Sequence, residues 1–478
     1  MIAVIIVLLA ARIGFGGAIH LTEDEAYYRL WAQTPALGYF DHPPMIAWWI
    51  WAGVHLAGDS PLGVRLTPIL AGVLTTVIIH DTTRIAGGTS IQAQRAGLWF
   101  NAMPLVAAGG FLAVPDAAAS LFWSLCVWCA LRARRGPGLA WWLGVGLAAG
   151  LASLSKYSAL FLGPGVLLWL VSTRTGRSSL RTPGPWLALL VAGCLFGLNV
   201  GWNATHHWLT FAKQFGRIAP HHWAIRYLLE FLATEILLIN PGLAVFLTLA
   251  VFHPRSAAAR RTVMPFLLSS LPFVAYLLVH SLHDRIQAHW PAPIYPALAI
   301  SAALATPPGH ALWIRLRAGV PIIGFGLTAF VGLLVVSTSA GLHLRHDPME
   351  PVKGWPAFAA RVDVLRRQVG GGWVGTASYG VAAQLADEAV LTAPVLQINE
   401  RSRWQGLNPG ALAEVSHPGI LVDLPRRIDM AALRRCFSDV RPLGPIQRGD
   451  SDMRGGVYQV VFLSRPTADV IAKGCDSR

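Results

Sequence analysis

Long apolar stretches constrain this 478-residue chain more than any other feature of its sequence. Eleven windows are nearly free of charge and run to about 20 residues, the length of helix that crosses the roughly 30 Å hydrocarbon core of a bilayer. Charged residues make up only 13% of the chain, about half the share usual in soluble proteins. The sequence therefore predicts a polytopic α-helical membrane protein with about eleven transmembrane helices, near 2–19, 65–82, 96–113, 117–132, 139–155, 157–172, 184–201, 227–251, 262–280, 290–306 and 319–341.

The distribution of basic residues predicts the orientation of these helices. Thirteen arginines lie in the loops after even-numbered windows, whereas the opposite loops hold seven basic residues. Because Lys and Arg accumulate on the cytoplasmic side, the N-terminus is expected in the cytoplasm and residues 20–64 form the first periplasmic loop. We expect a multi-pass protein of the bacterial inner (plasma) membrane. Topology accounts for the net charge of +14, and the basic residues are too scattered for a nucleic-acid partner.

Composition changes abruptly near residue 344. The segment 344–478 holds fourteen of the twenty-four carboxylates, and short apolar runs alternate there with amphipathic ones. This pattern predicts a small α/β domain, which an odd number of spans places in the periplasm. Cys436 and Cys475 lie in it and have the chance to pair in that oxidising compartment. The predicted domains are 1–343, in the membrane, and 344–478, in the periplasm.

Acidic residues gather on the predicted outer face of the membrane domain. Seven of the ten carboxylates before residue 344 lie in outer loops: Glu23, Asp24, Glu25, Asp41, Asp59, Asp116 and Asp284. Orientation does not require this, because acidic residues contribute little to topology. Each acid taken alone has a structural explanation, such as a helix cap or a favourable position at a helix N-terminus. Together they indicate a site at the periplasmic face.

Cations and aromatic residues lie among these acids. Lys156, Arg217, Arg285 and His289 occupy the same predicted face, as do Tyr39 and Phe40. A carboxylate is able to deprotonate an acceptor hydroxyl, and cations stabilise a leaving phosphate. This combination suits the transfer of a sugar from a lipid-phosphate donor. No cofactor is required by this chemistry; a divalent metal is possible but not predicted, since the adjacent His pairs lack the spacing that places two ligands on one helix face.

The motifs that carry these residues resemble a known family. Asp24-Glu25-Ala-Tyr27-Tyr28 and Gly38-Tyr39-Phe40-Asp41-His42-Pro43-Pro44 are similar to motifs of the polyprenyl-phosphate-dependent glycosyltransferases of the GT-C fold. The resemblance is closest to the bacterial family 39/83 group, which includes lipid A aminoarabinose and galacturonic acid transferases. It covers most of residues 20–300 and extends to Pro115-Asp116-Ala117, Leu154-Ser155-Lys156-Tyr157, Trp202-Asn203 and Asp284-Arg285-Ile-Gln-Ala-His289-Trp290-Pro291.

The resemblance implies an inverting glycosyltransferase that takes a sugar from a polyprenyl-phosphate donor to lipid A, the lipopolysaccharide core or another envelope glycolipid. By that likeness Asp24 is the catalytic carboxylate, with Glu25 beside it and Asp116 as a second acid. Residues expected to contact the donor phosphate or the substrate are Tyr27, Tyr39, Phe40, His42, Lys156, Arg217, Arg285 and His289. The family also has a small external C-terminal domain, which fits residues 344–478.

Two positions depart from the aminoarabinose transferases. Those enzymes usually carry Arg where this chain has Tyr27, and Lys where it has His42, so this chain must supply positive charge from elsewhere. The donor sugar is therefore left open between galacturonic acid, mannose and another hexose. A protein O-glycosyltransferase (mannosyltransferase) is the main alternative, and a lipid or sugar transporter or a non-enzymatic assembly protein are further ones.

Overall fold

The computed structural model describes residues 2–136, 138–216, 223–307, 309–339, 349–404, 407, 409–449, 456–468, 470 and 474–475. The chain divides into two compact units, a helical one formed by 1–16 and 37–332 and a mixed one formed by 17–36 and 333–478. The sequence assigned all of 20–64 to one loop of the membrane domain. In the structure the first part of that segment groups with the C-terminal part of the chain instead.

Helices account for the regular structure of the helical unit. Through residue 339 the helices, including the one that groups with the mixed unit, are α1 Ile2–Ala18, α2 Glu23–Gln33, α3 Met45–Ala57, α4 Pro61–Ile85, α5 Ser90–Asn101, α6 Pro104–Gly109, α7 Pro115–Ala133, α8 Leu139–Ser155, α9 Leu162–Ser172, α10 Arg174–Ser179, α11 Pro183–Thr205, α12 Leu209–Gly216, α13 Ile225–Leu238, α14 Pro241–Phe252, α15 Ala257–His280, α16 Tyr295–Leu304 and α17 Ala311–Ser339. Short 3-10 turns at Tyr157–Phe161 and Ala292–Ile294 precede α9 and α16.

Four of these helices, α4, α11, α15 and α17, are long and apolar enough to cross a membrane. Two further pairs, α1 with α2 and α13 with α14, meet the same criteria together across a short break, which gives up to six spans among the described residues. Among the described residues, every predicted window overlaps helical structure, but several helices are shorter than a span. The count of eleven is therefore not confirmed, because apolar length in the sequence does not reveal where a helix breaks.

Large apolar side chains face outward on the long helices. Leu189 and Leu190 on α11 are each 63% exposed, and Ile322 on α17 is 72% exposed. Such a surface is unfavourable in water and is what a lipid-facing helix presents. The composition and the exposed faces agree on a helical membrane protein.

Polar groups inside the helical unit are bridged to one another. The buried Arg12 guanidinium donates to the Asn101 Oδ1 atom at 3.3 Å and to the Val106 carbonyl at 2.9 Å. Asn101 in turn donates to Thr76 Oγ1 at 2.8 Å, and Arg65 donates to the Gly16 carbonyl. Buried polar groups are costly without such partners, so these bonds join α1, α4 and α5 where apolar packing alone would leave charge unsatisfied.

The mixed unit contains a five-stranded sheet. Its strands are β1 Trp373–Thr376, β2 Val395–Gln397, β3 Gly419–Asp423, β4 Phe437–Gln447 and β5 Val457–Pro466, in the order β2-β1-β3-β5-β4. β1 is parallel to β2 and β3, whereas β5 runs antiparallel to β3 and β4. Helices α18 Trp355–Gln368, α19 Tyr379–Asp387 and α20 Met430–Cys436 complete the unit, and α18 and α19 cover an apolar layer on the sheet.

Helix α2 belongs to this unit because polar bridges join its segment to α19 and the residue after it. His20 Nε2 lies 2.8 Å from Glu388 Oε1, and Gln384 donates to the Leu21 carbonyl at 2.8 Å. Arg29, in the second half of α2, pairs with Asp387. Segments that begin more than 350 residues apart in the sequence, α2 and α19, therefore pack together.

Cys436 and Cys475 form a disulfide, with their Cα atoms 5.9 Å apart. Cys126, Cys129 and Cys194 are free, and the first two are buried in the helical unit. The two pairing candidates that the sequence analysis left open are therefore bonded in the structure. The bridge closes the segment that contains β4 and β5.

We expect three reactive thiols in the denatured, non-reduced protein and all five cysteines after reduction, counted by mass after alkylation. Cys436→Ser should lower the stability of the mixed unit by about 4 kcal/mol, the chain-entropy cost of opening a loop of roughly 40 residues. Thermal unfolding in detergent measures the effect. Cys194→Ser is the matched control, since it removes an exposed free thiol, and an equal loss in that variant would contradict the assignment.

Candidate active site

Three residues predicted to belong to the site meet at the N-terminus of α7. Lys156 Nζ lies 2.5 Å from Asp116 Oδ1, and His289 Nε2 lies 3.9 Å from Asp116 Oδ2. The side chains of Asp116 and Lys156 are 6% and 12% exposed, whereas His289 is 46% exposed. The helical unit therefore holds a buried carboxylate with one cation at contact distance and an imidazole within reach of solvent.

Local sequence explains why these side chains converge. Pro115 occupies the first turn of α7, where its missing N–H costs nothing, so Asp116 lies at the positive end of the helix dipole. Lys156 has an extended backbone between the end of α8 and the 3-10 turn at Tyr157–Phe161. This break turns the lysine out of the helix and towards Asp116.

The segment before Pro43-Pro44 forms a turn that α11 and α12 clamp. The Tyr39 N–H donates to the His42 carbonyl at 3.1 Å, which closes the turn. Asn199 donates to the Leu37 carbonyl and Thr210 to the Tyr39 carbonyl, at 2.9 and 2.7 Å. Tyr39 is buried, and Phe40 and His42 are half-buried, so the turn is fixed before any substrate arrives.

A cation from α12, which the sequence analysis did not select as a site residue, contacts this turn. Lys213 Nζ lies 2.5 Å from Asp41 Oδ1 and 4.4 Å from the centre of the Phe40 ring. The neighbouring Gln214 donates to the Asp41 carbonyl at 2.6 Å. A positive charge therefore lies beside the turn that contains His42, on a helix more than 160 residues later. The only sequence signal was a lysine in a short amphipathic segment.

The three successive acids of α2 have three different environments. Glu25 is buried and completes a capping box, in which its Oε2 accepts from the Thr22 N–H at 3.0 Å and Thr22 Oγ1 accepts from the Glu25 N–H. Asp24 is exposed, and its Oδ1 accepts a hydrogen bond from the Tyr379 hydroxyl at 2.9 Å. Glu23 points to a cavity of the mixed unit. Of the three carboxylates, Asp24 is the one that is exposed while held in a defined position.

Tyr379 itself is positioned by the end of the sheet. Asp423, fully buried at the end of β3, accepts from the Ala377 N–H at 2.9 Å and from the Leu424 N–H at 2.7 Å. Burial raises the pKa of the Asp423 carboxyl, although these two hydrogen bonds and Arg427 oppose the increase. The segment that leads into α19 is therefore anchored two residues before Tyr379.

Tyr27 lies in an aromatic cluster that contains a buried arginine. Its ring centre is 5.0 Å from that of Tyr379 and 5.5 Å from that of Trp404. The Arg403 guanidinium carbon lies 4.5 Å from the Tyr379 ring centre and 5.8 Å from the Tyr27 ring centre. Arg403 is 6% exposed and also pairs with Glu400. Arg403 is not predictable from the sequence, because nothing local relates it to a motif 376 residues earlier.

The remaining cations predicted for the site are Arg285 and Arg217. Arg285 forms an exposed ion pair with Glu230 at 2.9 Å, so its charge is accessible to solvent. Arg217 lies outside the described residues. Within the part of the chain that the structure describes, no group of three His, Cys, Asp or Glu side chains is arranged to hold a metal ion.

Comparison with solved structures identifies the fold. ArnT from Cupriavidus metallidurans, crystallised with undecaprenyl phosphate, superposes with a TM-score of 0.64 over 99% of this chain and 98% of that chain, at 17% identity. AglB, an oligosaccharyltransferase from Archaeoglobus fulgidus, superposes with a TM-score of 0.53 over 82% of this chain and 64% of that chain, at 11% identity. The chain has the GT-C fold of the membrane glycosyltransferases.

Sequence comparisons agree with the GT-C fold. Residues 41–202 match the family described as dolichyl-phosphate-mannose-protein mannosyltransferase. The lipid A galacturonosyltransferase RgtD of Rhizobium johnstonii is 29% identical over 58% of this chain and 59% of that protein. The undecaprenyl phosphate-alpha-4-amino-4-deoxy-L-arabinose arabinosyl transferase of Pseudomonas aeruginosa is 27% identical over 66% of this chain and 58% of that protein. The chain thus spans about three fifths of the length of these relatives.

Removal of one partner of the Asp116–Lys156 pair should be more damaging than removal of both. Lys156→Met leaves a buried, uncompensated carboxylate and should cost about 3–5 kcal/mol of unfolding free energy. Asp116→Asn combined with Lys156→Met should regain most of that stability without regaining activity. Denaturant titration in mixed micelles measures both variants.

Arg285→Gln is the matched control, because loss of the exposed Arg285–Glu230 pair should cost no more than about 1 kcal/mol. Full activity in the double variant would show that the Asp116–Lys156 pair has only a structural role. A double variant as unstable as Lys156→Met would contradict the ion-pair explanation.

Proposed function

We propose that this GT-C protein transfers a sugar from a polyprenyl-phosphate donor to a glycolipid acceptor, with lipid A or the lipopolysaccharide core as the first candidate. The observation that carries the proposal is the exposed Asp24 carboxylate, held by Tyr379 in a chain with this fold. The names of the two relatives, which act on lipid A or use an undecaprenyl-phosphate sugar, support this choice of substrates.

The reaction is a single displacement with inversion. Asp24 accepts the proton of the acceptor hydroxyl as its oxygen attacks the anomeric carbon. The bond from that carbon to the phosphate oxygen breaks, and the polyprenyl phosphate leaves with the electron pair. Cations stabilise the negative charge that grows on the leaving phosphate, so this phosphate needs no protonation before it departs.

Compensating cations support the assignment of the donor-phosphate region. Where the resembling transferases carry Lys, this chain has His42 with Lys213 beside the same turn. Where they carry Arg, this chain has Tyr27, and the guanidinium carbon of Arg403 lies 5.8 Å from the centre of the Tyr27 ring. We assign Lys156, Lys213 and Arg403 to charge stabilisation, with Asp116 orienting Lys156. Glu25 is then a positioning residue that caps α2, because its carboxylate accepts a hydrogen bond from the Thr22 N–H.

The topology follows from the same proposal. A periplasmic site requires the mixed unit outside and the N-terminus in the cytoplasm, in line with the thirteen arginines of the even-numbered loops. Eleven spans satisfy this arrangement if α5 with α6, α7, α8, α9 and α16 each cross the membrane in addition to the six candidate spans.

Asp24→Asn should abolish most transfer, with a loss of about 10²–10⁴-fold in kcat, because the amide cannot accept the proton. The assay follows a labelled polyprenyl-phosphate sugar with purified enzyme and offers lipid A and a Ser/Thr peptide as separate acceptors. Asp59→Asn is the control, since it removes an exposed carboxylate elsewhere in 20–64. Wild-type transfer by Asp24→Asn would refute the proposed base, and transfer to the peptide alone would favour the O-glycosyltransferase alternative.

Moving the positive charge from Lys213 to position 42 tests whether Lys213 replaces the lysine that the resembling transferases carry there. Lys213→Gln should raise the KM for the polyprenyl-phosphate donor by about tenfold, as expected for the loss of one charge-assisted contact. His42→Lys in the same chain should restore much of that affinity, because it returns the charge to the turn that Lys213 now contacts. If His42→Lys brings no recovery while the thermal stability of both variants is normal, Lys213 does not serve the donor phosphate.

A further inference from the structure

The mixed unit contains a cavity of about 550 Å³ that no part of the mechanism above uses. Its lining includes three arginines and two glutamates: Arg426, Arg427, Arg448, Glu23 and Glu350. Tyr458 contributes an aromatic wall. The volume falls in the range of about 300–1,000 Å³ that small-molecule ligands occupy. A site with both guanidinium and carboxylate groups suits a ligand that carries an anion together with hydroxyl groups.

Arg448 shows that the cavity is a built site and not an accidental surface groove. It is 5% exposed, and its guanidinium donates to the carbonyls of Lys353 and Pro351 at 2.9 and 3.2 Å. Its carbon Cζ lies 4.4 Å from the ring centre of Trp355. The buried Arg448 Nε has no hydrogen-bond partner among the described residues. A buried N–H group without a partner is costly, and an oxygen atom of a bound ligand would satisfy it.

Glu23 enters the same cavity from α2, and the neighbouring backbone leaves room for it. A Cβ atom at Gly380 would lie 2.3 Å from Glu23 Oε2, so glycine at this position permits the approach of the carboxylate. Carboxylate oxygens accept hydrogen bonds from hydroxyl groups, whereas they repel a bare phosphate. Glu23 therefore favours a sugar phosphate over inorganic phosphate or a lipid phosphate.

Arg427 connects the cavity to the proposed catalytic carboxylate. Its Nη1 donates to Ser378 Oγ at 2.6 Å, and the next residue, Tyr379, donates its hydroxyl to Asp24. Glu23 is likewise adjacent to Asp24 along α2. A ligand in the cavity thus contacts Glu23, which precedes Asp24, and Arg427, which is hydrogen-bonded to the residue before Tyr379.

We propose that this cavity binds a phosphorylated sugar of the acceptor headgroup. The arginines hold the phosphate, Glu23 and Glu350 accept hydrogen bonds from sugar hydroxyls, and the bound headgroup presents its acceptor hydroxyl to Asp24. The assignment of this ligand to the acceptor rests on the proposed transferase function, whereas the binding of a phosphorylated hexose does not.

Binding is measured by calorimetry on the full-length protein in detergent, with glucose 1-phosphate as the probe. We expect saturable binding of glucose 1-phosphate and at least tenfold weaker binding of glucose and of inorganic phosphate. Arg426→Gln should weaken binding of the probe by about tenfold, the loss expected for one charge-assisted hydrogen bond. Arg426 is exposed, so this variant is expected to fold. Arg434→Gln is the matched control, an exposed arginine of α20 that does not line the cavity.

Equal binding of glucose and its phosphate, or an equal effect of Arg434→Gln, would overturn the site. Displacement of the probe by undecaprenyl phosphate would overturn its assignment to the acceptor, since the donor would then occupy it. Asp24→Asn should bind the probe like the wild type even where transfer is lost. A wild-type protein that binds the probe but transfers no sugar would refute the proposed function and leave the binding site intact.

Discussion

The requirement that polar groups find partners away from water shapes both units of this protein. In hydrocarbon an unsatisfied charge or backbone group costs several kcal/mol, and buried charged residues of the helical unit such as Arg12 and Asp116 have polar partners. The Asp116–Lys156 contact is the clearest case, because burying either side chain alone would be prohibitive. In the proposed mechanism, pairing also holds the two groups in place, so neither has to reorganise when a charged substrate arrives.

Helix geometry separates the three consecutive acids of α2. Successive residues of a helix differ in direction by about 100°, so adjacent carboxylates cannot share one environment. Glu25 caps the helix, Asp24 is exposed and held by Tyr379, and Glu23 lines the cavity with Arg427 and Arg448. One turn of helix thus presents a structural carboxylate, the proposed base and the proposed ligand-binding group, and each role depends on what the mixed unit places opposite it.

Sequence patterns anticipated much of the fold and part of the candidate site. Hydropathy indicated a helical membrane protein, and the motifs indicated the GT-C fold, which structural comparison confirms. The predicted residues Asp116, Lys156 and His289 do converge. Lys213, Tyr379 and Arg403 escaped notice, because each acts through a contact with a residue more than 160 positions away. Their own surroundings in the sequence contain no motif.

By itself, the sequence determined the medium in which this protein folds, because apolar runs of such length have no stable place in water. It also determined where helices begin, since the Thr22–Glu25 capping box and Pro115 act within one turn. Only the tertiary structure decided that α2 joins the C-terminal sheet unit, and that Lys213 and Arg403 lie beside the motifs that contain His42 and Tyr27. Local signals act over a few residues, whereas charge compensation depends on distance in space.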